Sequence, residues 1–301
     1  MDPTSARKKS LYTTTLDDEQ AEALHEWLAW HRWEAYGVDH SRFAFKGDAV
    51  NVVMYNSGKL VIQGKKAEDF VEFVLEPEIT HAAKLGYDAV VHAEWFEEHA
   101  GMDESGKGDL FGPLVTACVI AGGDTVKQFI SDGVKDSKLI TSDAAVLKLD
   151  DKIRASGCVV KTMCLSMAKY NELYVKFNDN MNFLLGWMHT CSLRKALGER
   201  QVPWGMLDQF SKRPIVQTML KDPTFNLKMQ TKAESDPVVA AASIVARAEY
   251  IRQMEELSKL ADMKLRKGAS KLVTEQAAEL KKRVGGNNMR NFVKLHFKTA
   301  P

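Results

Sequence analysis

The densest chemistry in this 301-residue chain lies in one string, Asp103-Glu104-Ser105-Gly106-Lys107-Gly108-Asp109-Leu110-Phe111-Gly112-Pro113. Two adjacent carboxylates end an expected strand and lead into a loop rich in glycine. Neighbouring side chains of a strand point to opposite faces, so both acids converge on one site only where the strand ends or bends. Glycine lets backbone amides come close to a phosphate or sugar, and a lysine between two glycines adds a point charge. Clustered carboxylates repel unless a divalent ion removes the cost, and hard oxygen donors favour Mg2+ or Mn2+. The spacing is not that of the Gly-x-x-x-x-Gly-Lys-Ser/Thr phosphate loop, because Lys107 directly follows Gly106 and precedes Gly108. An Asp-Glu pair by itself reads as a surface turn; the complete string is what sets it apart.

That string resembles the opening motif of type 2 ribonucleases H, in which Asp-Glu-x-Gly-Lys/Arg-Gly is followed by Gly-Pro. The resemblance continues downstream in the family's order. Asp136-Ser137-Lys138-Leu139 is similar to its Asp-Ser-Lys segment. Tyr170-Asn171-Glu172-Leu173-Tyr174, Asn180-Met181-Asn182 and His189 resemble the stretch between strands in the HIII branch. Leu207-Asp208-Gln209-Phe210 is similar to the strand end that holds a third carboxylate, and Lys232-Ala233-Glu234-Ser235 to the fourth. Lys107 stands where the HII branch usually has arginine. Tyr55-Asn56-Ser57-Gly58-Lys59, Gln63-Gly64-Lys65, Lys267-Gly268-Ala269 and Leu295-His296-Phe297-Lys298 also resemble the HIII branch.

The resemblance implies an α/β ribonuclease H-like mixed sheet with flanking helices, preceded by a small α+β domain resembling the TATA-binding protein fold. It implies hydrolysis of the RNA strand of RNA–DNA hybrids with two divalent ions, Mg2+ or Mn2+, leaving 5′-phosphate and 3′-hydroxyl ends. Carried over position by position, the catalytic and metal-binding residues are Asp103, Glu104, Asp208 and Glu234. Asp236 competes with Glu234 for the fourth place, but it also suits the role of helix cap before Pro237. Gly106, Lys107, Gly108, Ser137 and Lys138 are the expected substrate contacts, the first three reading the 2′-hydroxyl that separates RNA from DNA. An HII-like enzyme acting at single ribonucleotides embedded in DNA is the alternative. His189, within a helical stretch, reads first as a packing residue.

Elements must position these groups. A first unit, 1–80, is expected to bind substrate. In it Thr15 followed by Asp17, Asp18 and Glu19 reads as a helix start, and Ala21, Leu24 and Leu28 share one face. Phe43 and Phe45 alternate with polar neighbours as in a strand, and Asn56-Ser57-Gly58 marks a hairpin turn. A short helix from about Ala67 to Val74 follows, with Pro77 opening a connection and 81–94 a linker. Trp27, Trp30 and Trp33, at near-helical spacing, read as packing residues. The catalytic domain is expected over 95–301. In it Leu114 to Ala121 and Cys158 to Leu165 read as strands, Asn182 to Leu197 and Pro237 to Met254 as helices. Ala240-Ala241-Ala242 would let the last of these lie close on a sheet. Asp208 is expected at the end of a short strand, because Pro203 and Gly205 suit strand interiors poorly.

Composition narrows the class. The net charge of +1 conceals eleven acids against one lysine from Ala67 to Glu104, and thirteen Lys and Arg against six acids from Arg247 to Pro301. A basic end of this kind can track phosphates, though charge alone also fits a solvated helix face. No apolar run follows the basic residues Arg7, Lys8 and Lys9, and nothing approaches the ~20 apolar residues of a membrane helix. A cytoplasmic protein with no membrane association is therefore expected, and a monomer is the expected oligomeric state. Cys118, Cys158, Cys164 and Cys191 lack zinc-ligand spacing and read as buried free thiols.

Overall fold

In the computed structural model the residues described are 11–80, 92–134, 137, 140–231, 233–298 and 300. The chain divides into two units, Met1–Glu94 and Trp95–Pro301.

The first unit is a five-stranded antiparallel sheet in the order β1-β5-β4-β3-β2, with a helix on one face. Its strands are β1 (Leu11–Thr15), β2 (Glu34–Ala35), β3 (Ser41–Gly47), β4 (Val50–Tyr55) and β5 (Lys59–Gly64). Helix α1 (Asp18–Trp30) packs Leu24 and Leu28 against Val52, Met54, Leu60 and Ile62. Thr15 does not cap it. Thr15 ends β1, and Asp17 caps instead, accepting from the Gln20 amide in a capping box that Gln20 closes. The β3–β4 hairpin turns on Asp48 and Ala49, both left-handed, the geometry of the tightest hairpins. Helix α2 (Ala67–Phe70) does not stop before Pro77, but winds on as a π-helix through Val71–Thr80. Its buried Phe70, Val71, Leu75 and Ile79 join the core, and that burial holds the helix past the proline. Trp27 and Trp33 pack on Phe70, whereas Trp30 is 85% exposed and so is no packing residue.

The second unit carries a mixed sheet in the order β10-β9-β6-β7-β8. Strands β6 (His99–Ser105), β7 (Val115–Ala121) and β8 (Val159–Cys164) are antiparallel neighbours. On the other side β9 (Trp204–Asp208) runs parallel to β6, and β10 (Asn226–Gln230) runs parallel to β9. Helices α3 (Gly123–Asp132), α4 (Asp143–Ala155), α5 (Met167–Lys176), α6 (Met181–Glu199), α7 (Ile215–Leu220), α8 (Pro237–Leu260) and α9 (Lys271–Val284) surround it. Alternation along β7 separates two cores. Val115, Ala117 and Val119 join α8's Ala241, Ile244 and Val245, while Cys118 and Ile120 join α6's Leu193 and Ala196. The sheet is therefore covered on both faces, which is why β7 reads as a continuous apolar run. Among the described residues no helix is long and apolar enough to cross a membrane. All four cysteines are free, but only Cys118 is fully buried; Cys158, Cys164 and Cys191 are half-buried, less than their apolar settings suggested.

Helix α8 lies so close to β6 that a Cβ on Gly101 would sit 2.4 Å from the Val238 carbonyl carbon. Small residues on both partners permit that approach, as the alanine run suggested. The N-terminus of α8 is fixed from inside. Asp236 is fully buried, accepts from the Val238 amide at 2.8 Å, and lies 3.0 Å from Nε2 of buried His99. The other ring nitrogen of His99 faces the Glu97 carbonyl at 2.7 Å, and the ring stacks on Trp204.

Candidate active site

Asp103 and Glu104 occupy the last turns of pleat in β6, whose pairing with β7 runs on to Ser105↔Val115. The strand does not end between them, so their side chains part. Met102 belongs to the core under α6, which places Asp103 on the α8 face and Glu104 on the α6 face. Asp103 lines the cleft with Ser243 of α8, which acts to lower its pKa, and accepts from the Glu104 amide at 2.7 Å. Glu104 meets Nε2 of His189, on α6, at 3.2 Å, and Lys107 Nζ at 3.5 Å. His189 is thus buried, as its packing role required, and also in contact with a candidate acid. Its Nδ1 has no protein partner among the described residues.

Asp208 is the final residue of β9, the expected strand end. Because Met102 pairs with Leu207, Asp208 stands beside Asp103 on the same face of the sheet. Its carboxylate accepts from the Ala233 amide at 3.4 Å, which ties the short 3-10 turn Ala233–Ser235 to the strand end. Glu234 lies on that turn, half-buried, but does not line the cleft that Asp103, Glu104 and Asp208 share. Gly106, Lys107 and Ser137 do line it; Gly108 does not, and Lys138 and Asp136 lie outside the described residues. Asp109, Ser243, Arg247, Tyr250 and Lys267 complete the walls. Ser243, Arg247 and Tyr250 escaped sequence reading, yet their i, i+4, i+7 spacing is a polar stripe on an otherwise apolar helix. Arg247 donates to the carbonyls of Ser137 and Ile140, and the Ser137 and Ser243 hydroxyls are 2.8 Å apart.

The electrostatics follow from this placement. Burial, then the charge of Glu104, push Asp103 up to about 7, with Asp208 adding to the rise. Burial acts upward on Glu104 too, but His189 and Lys107 outweigh it and hold that carboxyl below its ordinary value. The donor set is all hard oxygen, and Asp103 carries a repulsion that a cation would relieve, so these residues fit a divalent ion in kind. Among the described residues no three carboxylate, imidazole or thiol groups converge closely enough to hold one. The parting of Asp103 and Glu104 across the sheet explains why, and joint ligation asks for side-chain rotation.

Residues 100–300 match the family model described as Ribonuclease HII, and residues 16–85 match a domain of unknown function (DUF3378). Ribonuclease HIII of Protochlamydia amoebophila is 36% identical over 96% of this chain and 95% of its own. The chain belongs to the type 2 ribonuclease H family, in its HIII branch. A second HIII relative, from Chlamydia muridarum, is 39% identical over 86% of each chain. Among solved structures, Bst-RNase HIII in complex with Mn2+ is similar with a TM-score of 0.64 and 27% identity, each chain 96% covered. The Aquifex aeolicus RNase H3 is similar with a TM-score of 0.55 and 25% identity, covering 95% of this chain and 100% of that one. The mixed sheet with flanking helices and the small sheet-and-helix unit before it are thus those of an HIII enzyme.

Proposed function

We propose that this chain is an endonuclease that hydrolyses the RNA strand of RNA–DNA hybrids, leaving 5′-phosphate and 3′-hydroxyl ends. The observation that carries the reading is that Asp103, Glu104 and Asp208 line one cleft at an end of the mixed sheet, beside a loop bearing Gly106 and Lys107. Water attacks phosphorus in line with the departing 3′-oxygen. Asp103, Glu104, Asp208 and Glu234 would hold two divalent ions, Mg2+ or Mn2+, which when bound make water nucleophilic at neutral pH and neutralise charge developing on oxygen. Lys107, Arg247 and Lys267 line the cleft as cations suited to the strand's phosphates. Gly106, Lys107 and Gly108 bring backbone close to the ribose, Ser137 presents a hydroxyl, and Lys138 adds a phosphate contact.

Glu234 is preferred to Asp236 as the fourth carboxylate because Asp236 is fully buried and committed to two helix amides and His99. Unpaired thiols suit a reducing cytoplasm, where the enzyme acts as a monomer. A panel of long hybrid, single-ribonucleotide duplex and plain DNA duplex, each with Mg2+ and with Mn2+, tests the reading. Asp103→Asn should lower hybrid cleavage at least about a thousandfold while the fold persists; undiminished cleavage by that variant overturns the assignment. In the same panel Glu234→Gln should lose cleavage with its melting temperature kept, and Asp236→Asn should lose melting temperature first. The reverse pattern would move the fourth ligand to Asp236.

A further inference from the structure

The loop from Gly106 to Pro113 is built against a segment far away in sequence. The Leu110 amide donates to the Gly268 carbonyl at 2.9 Å, and the Gly268 amide donates to the Asp109 carboxylate. Phe111 forms an isolated antiparallel bridge with Val293, and the Lys294 amide donates to the Leu110 carbonyl at 2.9 Å. At the centre of this contact is a fully buried lysine. Lys294 Nζ donates to the Asp109 carbonyl at 2.8 Å and to the Gly112 carbonyl at 2.5 Å, and lies 5.5 Å from the centre of the Tyr170 ring. Two carbonyls and an aromatic face take up its three donors. Asn171 locks the segment that carries it, donating to the carbonyls of Arg290 and Val293 and accepting from the Leu295 amide.

A buried ammonium is costly, and here burial pushes Lys294 down to about 7 against the attraction of Asp109. A methionine or leucine would fill the same space without that cost. Unlike either, a multi-donor ammonium can draw two carbonyls of one turn inward together. Gly106 begins that turn at φ +84°, where a Cβ would meet the Pro113 carbonyl oxygen at 2.2 Å, so the turn closes on itself with no slack.

We propose that Lys294 is a positioning residue for substrate recognition, whose ammonium gathers the carbonyls of Asp109 and Gly112 and so fixes the Gly106–Gly108 rim against the ribose–phosphate backbone. The inference rests on the reading that this rim meets the RNA strand. It assigns to the 290–295 segment a share in selecting substrate, although Lys294 itself never touches the strand. Charge-assisted hydrogen bonds are about twice as strong as neutral ones, so losing two of them should loosen the loop.

The test uses the full chain carrying Lys294→Met and, separately, Lys294→Gln. Steady-state cleavage of a long hybrid should show KM raised about tenfold or more with kcat within about threefold, Gln retaining part of the loss as an amide donor. Amide hydrogen exchange should quicken over residues 106–112 and stay unchanged in β6 and α8. An unchanged KM, or kcat falling in step with an unaltered KM, overturns the proposal. So does loss of the fold in both variants, which would assign Lys294 to general stability. Failure of the wild-type chain to cut hybrid would instead overturn the underlying reading, while exchange at 106–112 still reports whether the clamp exists.

Discussion

Asp103 is the residue at which structure and chemistry pull hardest against each other. Its carboxyl is raised to about 7 by burial and by Glu104, whereas an unfolded chain would release the proton near 3.8. Between those values the folded protein keeps a proton that the unfolded chain gives up. Stability in chelator therefore falls as pH rises from about 4 to about 7 and stays low above that. Asp103→Asn removes the charge without changing shape, so it should raise the melting temperature of the metal-free protein more at pH 8 than at pH 4. Thermal melts of both proteins in EDTA across that range check the sign, and an equal shift at both pH values would contradict it. The motif around Asp103 was legible because glycines and adjacent acids are distinctive together. That the two acids point to opposite faces was not, since it depends on the strand continuing to Ser105, which only the pairing with Val115 decides. His189 is buried as its packing reading required, but helical spacing could not show which strand end it meets.

At the scale of elements, the contact between β6 and α8 sets the geometry of the site. A Cβ at Gly101 would lie 2.4 Å from one backbone atom and 2.5 Å from two others of Val238 and Val239. Gly101→Ala should cost about 1–3 kcal/mol by overpacking, and urea denaturation should show the midpoint falling accordingly. Activity should suffer as well, because Asp103 and Ser243 belong to the two elements being pushed apart. Helix α8 was the most readable element, with its cap, its proline at the first position and its alanine run all in sequence. It runs to Leu260, six residues beyond the expected end at Met254, where its apolar face continues through Leu257 to a C-terminus without a breaker. The strands β1, β2 and β10 were missed. They are short, and β1 and β10 are edge strands whose alternating half-exposed residues carry no apolar signature.

For the whole molecule, the division at Glu94–Trp95 sits at the end of the stretch expected to link two domains. The small unit has its own core, built from α1, α2 and one face of its sheet. Its expected contribution is affinity. Removing residues before Trp95 should raise the dissociation constant for hybrid about tenfold or more, and leave kcat within about threefold. Fluorescence titration with an uncut hybrid in Ca2+, beside turnover in Mg2+, separates the two effects; unchanged affinity would contradict the assignment. Segregation of acids before Glu104 and of bases after Arg247 was visible in the sequence, but the cleft itself combines both halves of the catalytic unit. Asp208, Arg247 and Lys267 come from distant segments; the β6–β9 pairing brings Asp208 to Asp103, and the packing of α8 on β6 brings Arg247.

The parting of Asp103 and Glu104 has one more consequence. Each acid answers to a different layer of the sandwich, Asp103 to Ser243 of α8 and Glu104 to His189 of α6. Repacking one helix would alter the contacts of one acid while leaving the other's helix in place. A substitution on α8 or on α6 would thus reach one carboxylate first, and the other only through the charge the two share.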